Sequence, residues 1–295
     1  MKNTIVIKLQ GGLGNQLFQY ALGRSIQLSR NIPVEFDISW YSRKTDEIKR
    51  TYELDNFQTQ VSPADVATVQ YFEQYQRRPG PIGFLKTFFT VDAAKYIQDF
   101  GYVFNQKILG LVQPAYLDGY WQSEKYFASI AGALRNELAL RKPATGKNAI
   151  TLNAIQQSPS ISLHVRRGDY VASKQANAFH GTTTVDYYQS AISALQKVAP
   201  NGIIYVFSDD QAWVKANLRF AQQTIFVDWN TAEQAHEDLR LMAACQHNVI
   251  ANSTFSWWGA WLNSNPNKVV IAPKKWFANP TMNTKDLLPD TWIQM

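Results

Sequence analysis

Short β-branched runs alternate with amphipathic helical runs, and the alternation occurs twice along this 295-residue chain. "TIVIKL" stops at Gly11 and Gly12. "NQLFQYALGRSIQLSR" then places Leu17, Tyr20, Ala21, Ser25 and Leu28 at helical spacing, and "PVEFD" is the next strand. The segment 71–102 is aromatic and rich in loop residues, and no period emerges from it. "KYFASIAGALRNELAL" is helical and gives way to "RKPATGKNA", whose Pro143 and Gly146 mark a polar linker. The pattern then restarts: "SISLHV", "GIIYVFS", "QTIFVD" and "NVIAN" are strands. They are interleaved with the helical runs "VDYYQSAISALQKVA", "DDQAWVKANL", "AEQAHEDLRLMAACQ" and "TFSWWGAWLNS". Strand and helix in alternation require parallel sheets covered on both faces. The expected fold class is therefore α/β, with two Rossmann-like lobes, 1–145 and 146–295, and a cleft between them.

Composition narrows the biochemical setting. With 45% hydrophobic and 18% charged residues the chain has material for one large core or two ordinary ones. A single cysteine, Cys245, allows no internal disulfide, and no leader-like segment opens the sequence, so a cytoplasmic location is expected. No apolar run approaches the ~18 residues of a membrane span. The net charge of +6 suits an anionic ligand, and it is also compatible with peripheral contact at the inner membrane. Nucleic acid is not an expected partner, because the basic residues are scattered and the pair Arg77 and Arg78 lacks interleaved aromatics.

The residues that could carry chemistry gather at the carboxyl ends of strands, where open α/β sheets bind ligands. "LHVRRGDYV" brings His164, Arg166, Arg167 and Asp169 to one such end. Neighbours on an extended segment point opposite ways, so the two arginines have separate tasks. One can clamp a phosphate bidentately while the other pairs with Asp169 or another acid and holds the loop. "FSDDQAW" adds Ser208, Asp209 and Asp210. "NVIANSTFSWWGAW" adds Asn252, Ser253, Thr254, Phe255 and Ser256 at a helix start, which offers backbone N–H groups to a phosphate or, equally, an ordinary N-cap. Trp257, Trp258 and Trp261 at helical spacing belong to the core. In "GGLGNQLF", Gly12 and Gly14 supply half of a dinucleotide fingerprint whose third glycine position is Leu17. A nicotinamide oxidoreductase using Gly12, Gly14 and Glu35 is one alternative class, and a non-catalytic sugar-binding protein is another. No Asp lies two residues from another Asp, so the pair that holds a divalent ion on a sugar diphosphate is missing and no metal is expected. Arginine would then neutralise the leaving group.

Five stretches taken together, "GGLGNQLFQYA", "YLDGYWQSEKYF", "LHVRRGDYV", "FSDDQAW" and "DLRLMAACQHNVIANSTFSWWGAWL", resemble the bacterial α1,2-fucosyltransferases of glycosyltransferase family eleven. The motifs keep the family's order from Gly11 to Leu262. The resemblance implies a GT-B-like fold and a GDP-β-L-fucose donor. It also implies metal-independent, inverting transfer to the 2-hydroxyl of a galactose-terminated acceptor. It casts Arg166 as the clamp on the β-phosphate, Gly14 and Asn15 near fucose and phosphates, and His164 beside the nucleotide. Asp238 would sit on the guanine edge, with Asp209 or Asp210 lining the nucleoside pocket. Asn252 and 253–256 would contact phosphate and ribose. More distant α1,6 enzymes carry a glutamate base soon after the arginine motif, where this chain has "VASKQANAF", with no acid. The base is open among Asp169, His180, Asp118 and Glu124. Asp118, Trp121, Gln122 and Glu124 are the candidates for an acceptor wall, with packing between the lobes as the competing role.

Overall fold

A computed structural model describes residues 4–42, 50–76, 96–99, 101–168 and 178–295. The chain forms two compact units: 1–139 with Lys285–Leu287, and 140–284 with Leu288–Met295. The division falls at Ala139, ahead of the boundary expected at 145. Leu138 is buried in the first unit, whereas the Lys142 carbonyl already accepts a hydrogen bond from the Arg240 guanidinium of the second. The stretch expected to be linker is also shorter than its polarity implies, because a helix begins at Gly146.

The first unit holds a four-stranded parallel sheet in the order β2-β1-β4-β3, formed by β1 (Ile5–Lys8), β2 (Val34–Asp37), β3 (Tyr96–Asp99) and β4 (Ala115–Gly119). The alternation of β1 decides what covers it. Val6 points into a cluster with Val69 and Phe72 of helix α2 (Val66–Glu73) and with Tyr96 and Tyr116, while Ile7 faces Gly23 of helix α1 (Leu13–Arg30). Two short helices follow, α3 (Gln106–Leu109) and α4 (Ala131–Glu137). Arg24 and Glu137 form a buried ion pair that ties α4 to α1, and the Tyr20 hydroxyl donates to the same carboxylate.

The second unit is a six-stranded parallel sheet, β10-β9-β8-β5-β6-β7. Its strands are β5 (Ser160–Val165), β6 (Ile203–Ser208), β7 (Thr224–Val227), β8 (His247–Val249), β9 (Val270–Ala272) and β10 (Ile293–Gln294). Ile204 and Val206 face a cluster with Tyr188, Ile192 and Leu195 of α6 (Val185–Leu195) and Val214 of α7 (Gln211–Asn217). Tyr205 and Phe207 face the opposite way, onto Ile155 of α5 (Gly146–Gln157) and Leu241 and Met242 of α8 (Ala235–Ala244). Residues of both registers are buried, as a doubly covered parallel sheet requires. Cys245 lies in the second cluster, and burial pushes its thiol pKa up, so it behaves as a small hydrophobe. In α9 (Thr254–Leu262) the three tryptophans are interior residues, Trp257 stacked on Trp261 and Trp258 edge-on to both. Each unit is thus Rossmann-like, and the chain is α/β of GT-B-like type.

Candidate active site

The carboxyl ends of β5 and β6 lie side by side, since Val165 is registered against Ser208, and the residues just beyond them form one ionic cluster. Arg166 Nη1 lies 3.0 Å from Asp209 Oδ2. The backbone N–H of Arg167 donates to Asp209 Oδ1 at 2.9 Å, so one carboxylate fixes both the main chain of the loop and the first guanidinium. The Arg166 main chain is also hydrogen-bonded to the buried Tyr188 hydroxyl. Asp209 comes this close because the next residue is Gly168, where a Cβ would stand 2.7 Å from Asp209 Oδ2. Arg167 takes the other acid: its Nε lies 3.3 Å from Asp210 Oδ2, and its guanidinium stacks 4.0 Å above the Trp213 ring. Asp210 in turn caps α7 by accepting from the Trp213 N–H, and its own N–H donates to the Ser208 hydroxyl. The two arginines therefore pair with separate acids. The acid holding Arg167 is Asp210. Asp169 lies outside the described residues, as do Arg77 and Arg78.

His164 is buried on β5 against Phe255, with ring centroids 5.6 Å apart, and its Nδ1 has no hydrogen-bond partner among the described residues. Burial drives its pKa down to about 4, with Arg166 adding to the depression and Asp209 opposing it. A ring that stays neutral at physiological pH is a poor proton shuttle there but lines the strand end well. His180 packs edge-on to Phe179 and beside Phe277. At the start of α9, Ser253 accepts from the Phe255 N–H, and Ser256 Oγ donates to the Ser253 carbonyl. Asn252 is a brace: its amide donates to the carbonyls of His180, Gly181 and Trp276. Thr254 opens the helix itself.

Asp238 occupies the first turn of α8 in a polar network that local sequence patterns did not reveal. Asn230 Nδ2 donates to Asp238 Oδ1 at 2.7 Å, Asn230 and Asn148 exchange amide hydrogen bonds, and Trp229 Nε1 donates to Asn148 Oδ1. Burial raises the Asp238 carboxyl pKa to about 7; Asn230 opposes the shift and Glu237 reinforces it. "DWN", directly after β7, was the available signal, because it too follows the carboxyl end of a strand.

In the first unit, Gly11 takes φ +81° and turns the chain into α1, where no side chain caps the helix. Asn15, one residue after Gly14, accepts from Gln122 Nε2 at 2.9 Å. Two of the residues expected on an acceptor wall are interior. Asp118 is 1% exposed and accepts from Lys8, Gln10, Tyr96 and Gln98 of two neighbouring segments, so its oxygens are committed to the sheet. Trp121 is buried with its ring edge-on to Tyr126. Gln122 is nearly buried behind Asn15, and Glu124, half-buried, starts the short turn of helix Glu124–Tyr126. Among the described residues no group of three His, Cys, Asp or Glu could hold a metal ion, and no helix is long and apolar enough to cross a membrane.

Residues 85–295 match the family model described as glycosyl transferase family 11. The sequence is 33% identical over 309 positions to an alpha-1,2-colitosyltransferase of Escherichia coli, covering 99% of each chain. It is 32% identical over 314 positions to the O-antigen biosynthesis glycosyltransferase WbnK of Escherichia coli, covering 97% of this chain and 99% of the relative. A galactoside 2-alpha-L-fucosyltransferase, SEC1 of Bos taurus, shares 27% identity over 114 positions, which is 38% of this chain and 31% of that one. In fold, the chain is similar to a mutant of Arabidopsis thaliana FUT1 solved in complex with GDP. The TM-score is 0.53 at 13% identity, covering 98% of this chain and 75% of that one.

Proposed function

Because the chain belongs to glycosyl transferase family 11, we propose that it moves L-fucose from GDP-β-L-fucose to the 2-hydroxyl of a terminal β-galactoside, with inversion and without a metal ion. The observation that carries this reading is the pair of carboxylates at the end of β6, each holding one of the adjacent arginines. Arg167, stacked and paired, stiffens the loop. Arg166, aimed by Asp209, meets the diphosphate. A guanidinium fixed in advance costs no reorganisation when negative charge grows on departing GDP, and a preorganised donor of this kind is worth about 10² to 10³ in rate. The start of α9, with Ser253, Thr254, Phe255 and Ser256, offers backbone N–H groups to the same phosphates. Asp238 accepts from the guanine N–H groups, with Asn230 and Asn148 holding it in register. Asn15 and Gln122 form the sugar-facing amides at the glycine turn, and Glu124 remains the acceptor-wall residue with accessible surface.

In the reaction the acceptor oxygen bonds to the anomeric carbon from the face opposite the diphosphate. The bond from that carbon to the β-phosphate oxygen breaks, its electron pair leaves with GDP, and the acceptor proton passes to a base. The full-length similarity to a colitosyltransferase gives a second reading, in which the donor sugar lacks the 3-hydroxyl of fucose and the remaining chemistry is unchanged. Parallel incubations with GDP-fucose and GDP-colitose over a panel of β-galactosides, with products read by NMR, distinguish the two. An α1,2-linked fucoside is expected; transfer from GDP-colitose alone selects the second reading, and absence of product from either donor rejects both. Peripheral association with the inner membrane from the cytoplasmic side would suit the net charge of +6, and sedimentation with anionic vesicles tests it.

A further inference from the structure

Three separated stretches meet at the carboxyl end of β1: the turn at Gly11 and Gly12, the segment around Tyr41, and the segment 50–53. Gln16, fully buried in the first turns of α1, joins them. Its Nε2 donates to the carbonyls of Gly11 and Thr51, at 3.2 and 2.8 Å, and its Oε1 accepts from the backbone N–H of Glu53 at 2.9 Å. The Tyr41 hydroxyl donates to the Gly11 carbonyl, and its ring meets Tyr52 at 5.9 Å. Gln16 thus ties the Glu53 main chain to the glycine turn, with both of its amide hydrogens committed.

The Glu53 carboxyl group is unusual for a residue so firmly placed. Its Oε2 is buried and has no hydrogen-bond partner among the described residues, while the side chain as a whole is only half-buried and reaches the surface at this edge. Leaving a buried carboxylate oxygen unmatched is costly, and folded proteins keep few such atoms. The Arg50 guanidinium, which also lies about 4 Å from where a Gly12 side chain would begin, and the Tyr41 hydroxyl interact electrostatically with it, and Tyr52 and Tyr120 lie near Tyr41 in turn. Burial outweighs Arg50 and pushes the carboxyl pKa up to about 7. A carboxylate that titrates near the working pH is suited to taking a proton in the transition state.

We propose that Glu53 is the catalytic base, accepting the proton of the attacking acceptor hydroxyl as its oxygen bonds to the anomeric carbon and GDP departs with the electron pair of the broken bond. This rests on the transfer reaction proposed above, whose base that reading leaves open. The unmatched oxygen accounts for the basicity, and Gln16, through the Glu53 main chain, for its place beside the glycine turn.

The test compares wild type with Glu53→Gln and Glu53→Asp in transfer from GDP-fucose to a β-galactoside, over a pH series, with melting curves alongside. For a general base Glu53→Gln should lower kcat by about 10² to 10⁴ while the KM for GDP-fucose stays within about threefold. The acid limb of wild-type kcat at saturating GDP-fucose, centred at about 7, should vanish in the Gln variant, whereas the pH dependence that Asp238 gives to donor affinity should stay. Glu53→Asp, which keeps a carboxylate on a shorter arm, should keep the limb at reduced kcat. A folded Gln variant with wild-type kcat, or one that keeps the limb, overturns the assignment while leaving the transfer reaction standing. If the Gln variant does not fold, an Asp variant with unchanged kcat overturns it equally. A wild type inert with both donors would instead remove the transfer reaction itself.

Discussion

The guanine contact proposed for Asp238 can be tested quantitatively, because a carboxyl must be ionised to accept two N–H groups of guanine. In the free protein burial raises its pKa from 3.8 to about 7. If only the ionised form binds, affinity for GDP-fucose at a pH 1.5 units below that value should be about 30-fold weaker than on the alkaline plateau, equivalent to about 2 kcal/mol. GDP-fucose is the right ligand, since its esterified diphosphate has no proton to lose in this range, whereas the terminal phosphate of GDP has. Calorimetry near pH 6 in two buffers of different ionisation enthalpy should reveal proton release on binding. Asp238→Asn should abolish both the proton release and the pH dependence, and should weaken binding by roughly 1.5 to 3 kcal/mol. Stability should move in the opposite direction. A carboxyl whose pKa is raised by folding contributes stability that is complete below 3.8 and lost as pH rises through about 7. The unliganded Asn variant should therefore gain on wild type as pH rises, by at most about 4 kcal/mol. Affinity that is flat with pH in wild type, together with an unimpaired Asn variant, would refute the guanine contact.

Three further outcomes are expected. Arg166→Lys keeps the charge but loses the planar fork, so GDP-fucose binding should fall modestly and kcat by about 10² to 10³, whereas Arg167→Lys, which gives up the Trp213 stack, should chiefly lower the melting temperature, by about 1 kcal/mol of stability. Kinetics and melting curves in which the two variants exchange behaviour would exchange the roles. Transfer should survive excess EDTA, since Arg166 supplies the charge that a metal would otherwise carry; loss of activity that Mn²⁺ restores would count against this. Asp118→Asn should destabilise the first unit by about 3 to 5 kcal/mol in urea denaturation, because it leaves the Lys8 ammonium, 14% exposed, without its counter-ion; a change below about 1 kcal/mol would show that the pair is dispensable.

Periodicity made the second unit legible almost strand for strand. Its strands β5, β6 and β8 are flanked on both sides and bounded by polar turns, so local pattern and tertiary role agree there. Strands β3, β9 and β10 are short, and the last has only two residues, too few for any period to register. The arginine motif could be placed at a strand end from sequence alone, but Asp209 and Asp210, which hold it, lie 42 and 43 residues on, just past β6, where no local pattern links them to it. The misplacement of Asp118 and Trp121 has the same origin. Their motif has the composition of a sugar-binding surface, and only the arrival of Lys8, Gln10 and Tyr96 from other strands turns Asp118 into an interior anchor. Glu53 and Asn148 carried no local signal, because each acquires its meaning from one contact, to Gln16 and to Asn230 respectively.

The chain leaves its second unit at Lys285, spends three residues in the first, and returns to complete the sheet with β10. During that visit Asp286 accepts from the Phe104 N–H and the Lys125 ammonium. Neither unit is therefore a contiguous stretch of gene. A chimera that exchanges one half between family members at residue 140 will bring a foreign tripeptide to the Lys125 site unless 285–287 are exchanged with 1–139. Recombination designed to transplant acceptor preference should treat those three codons as belonging to the amino-terminal half.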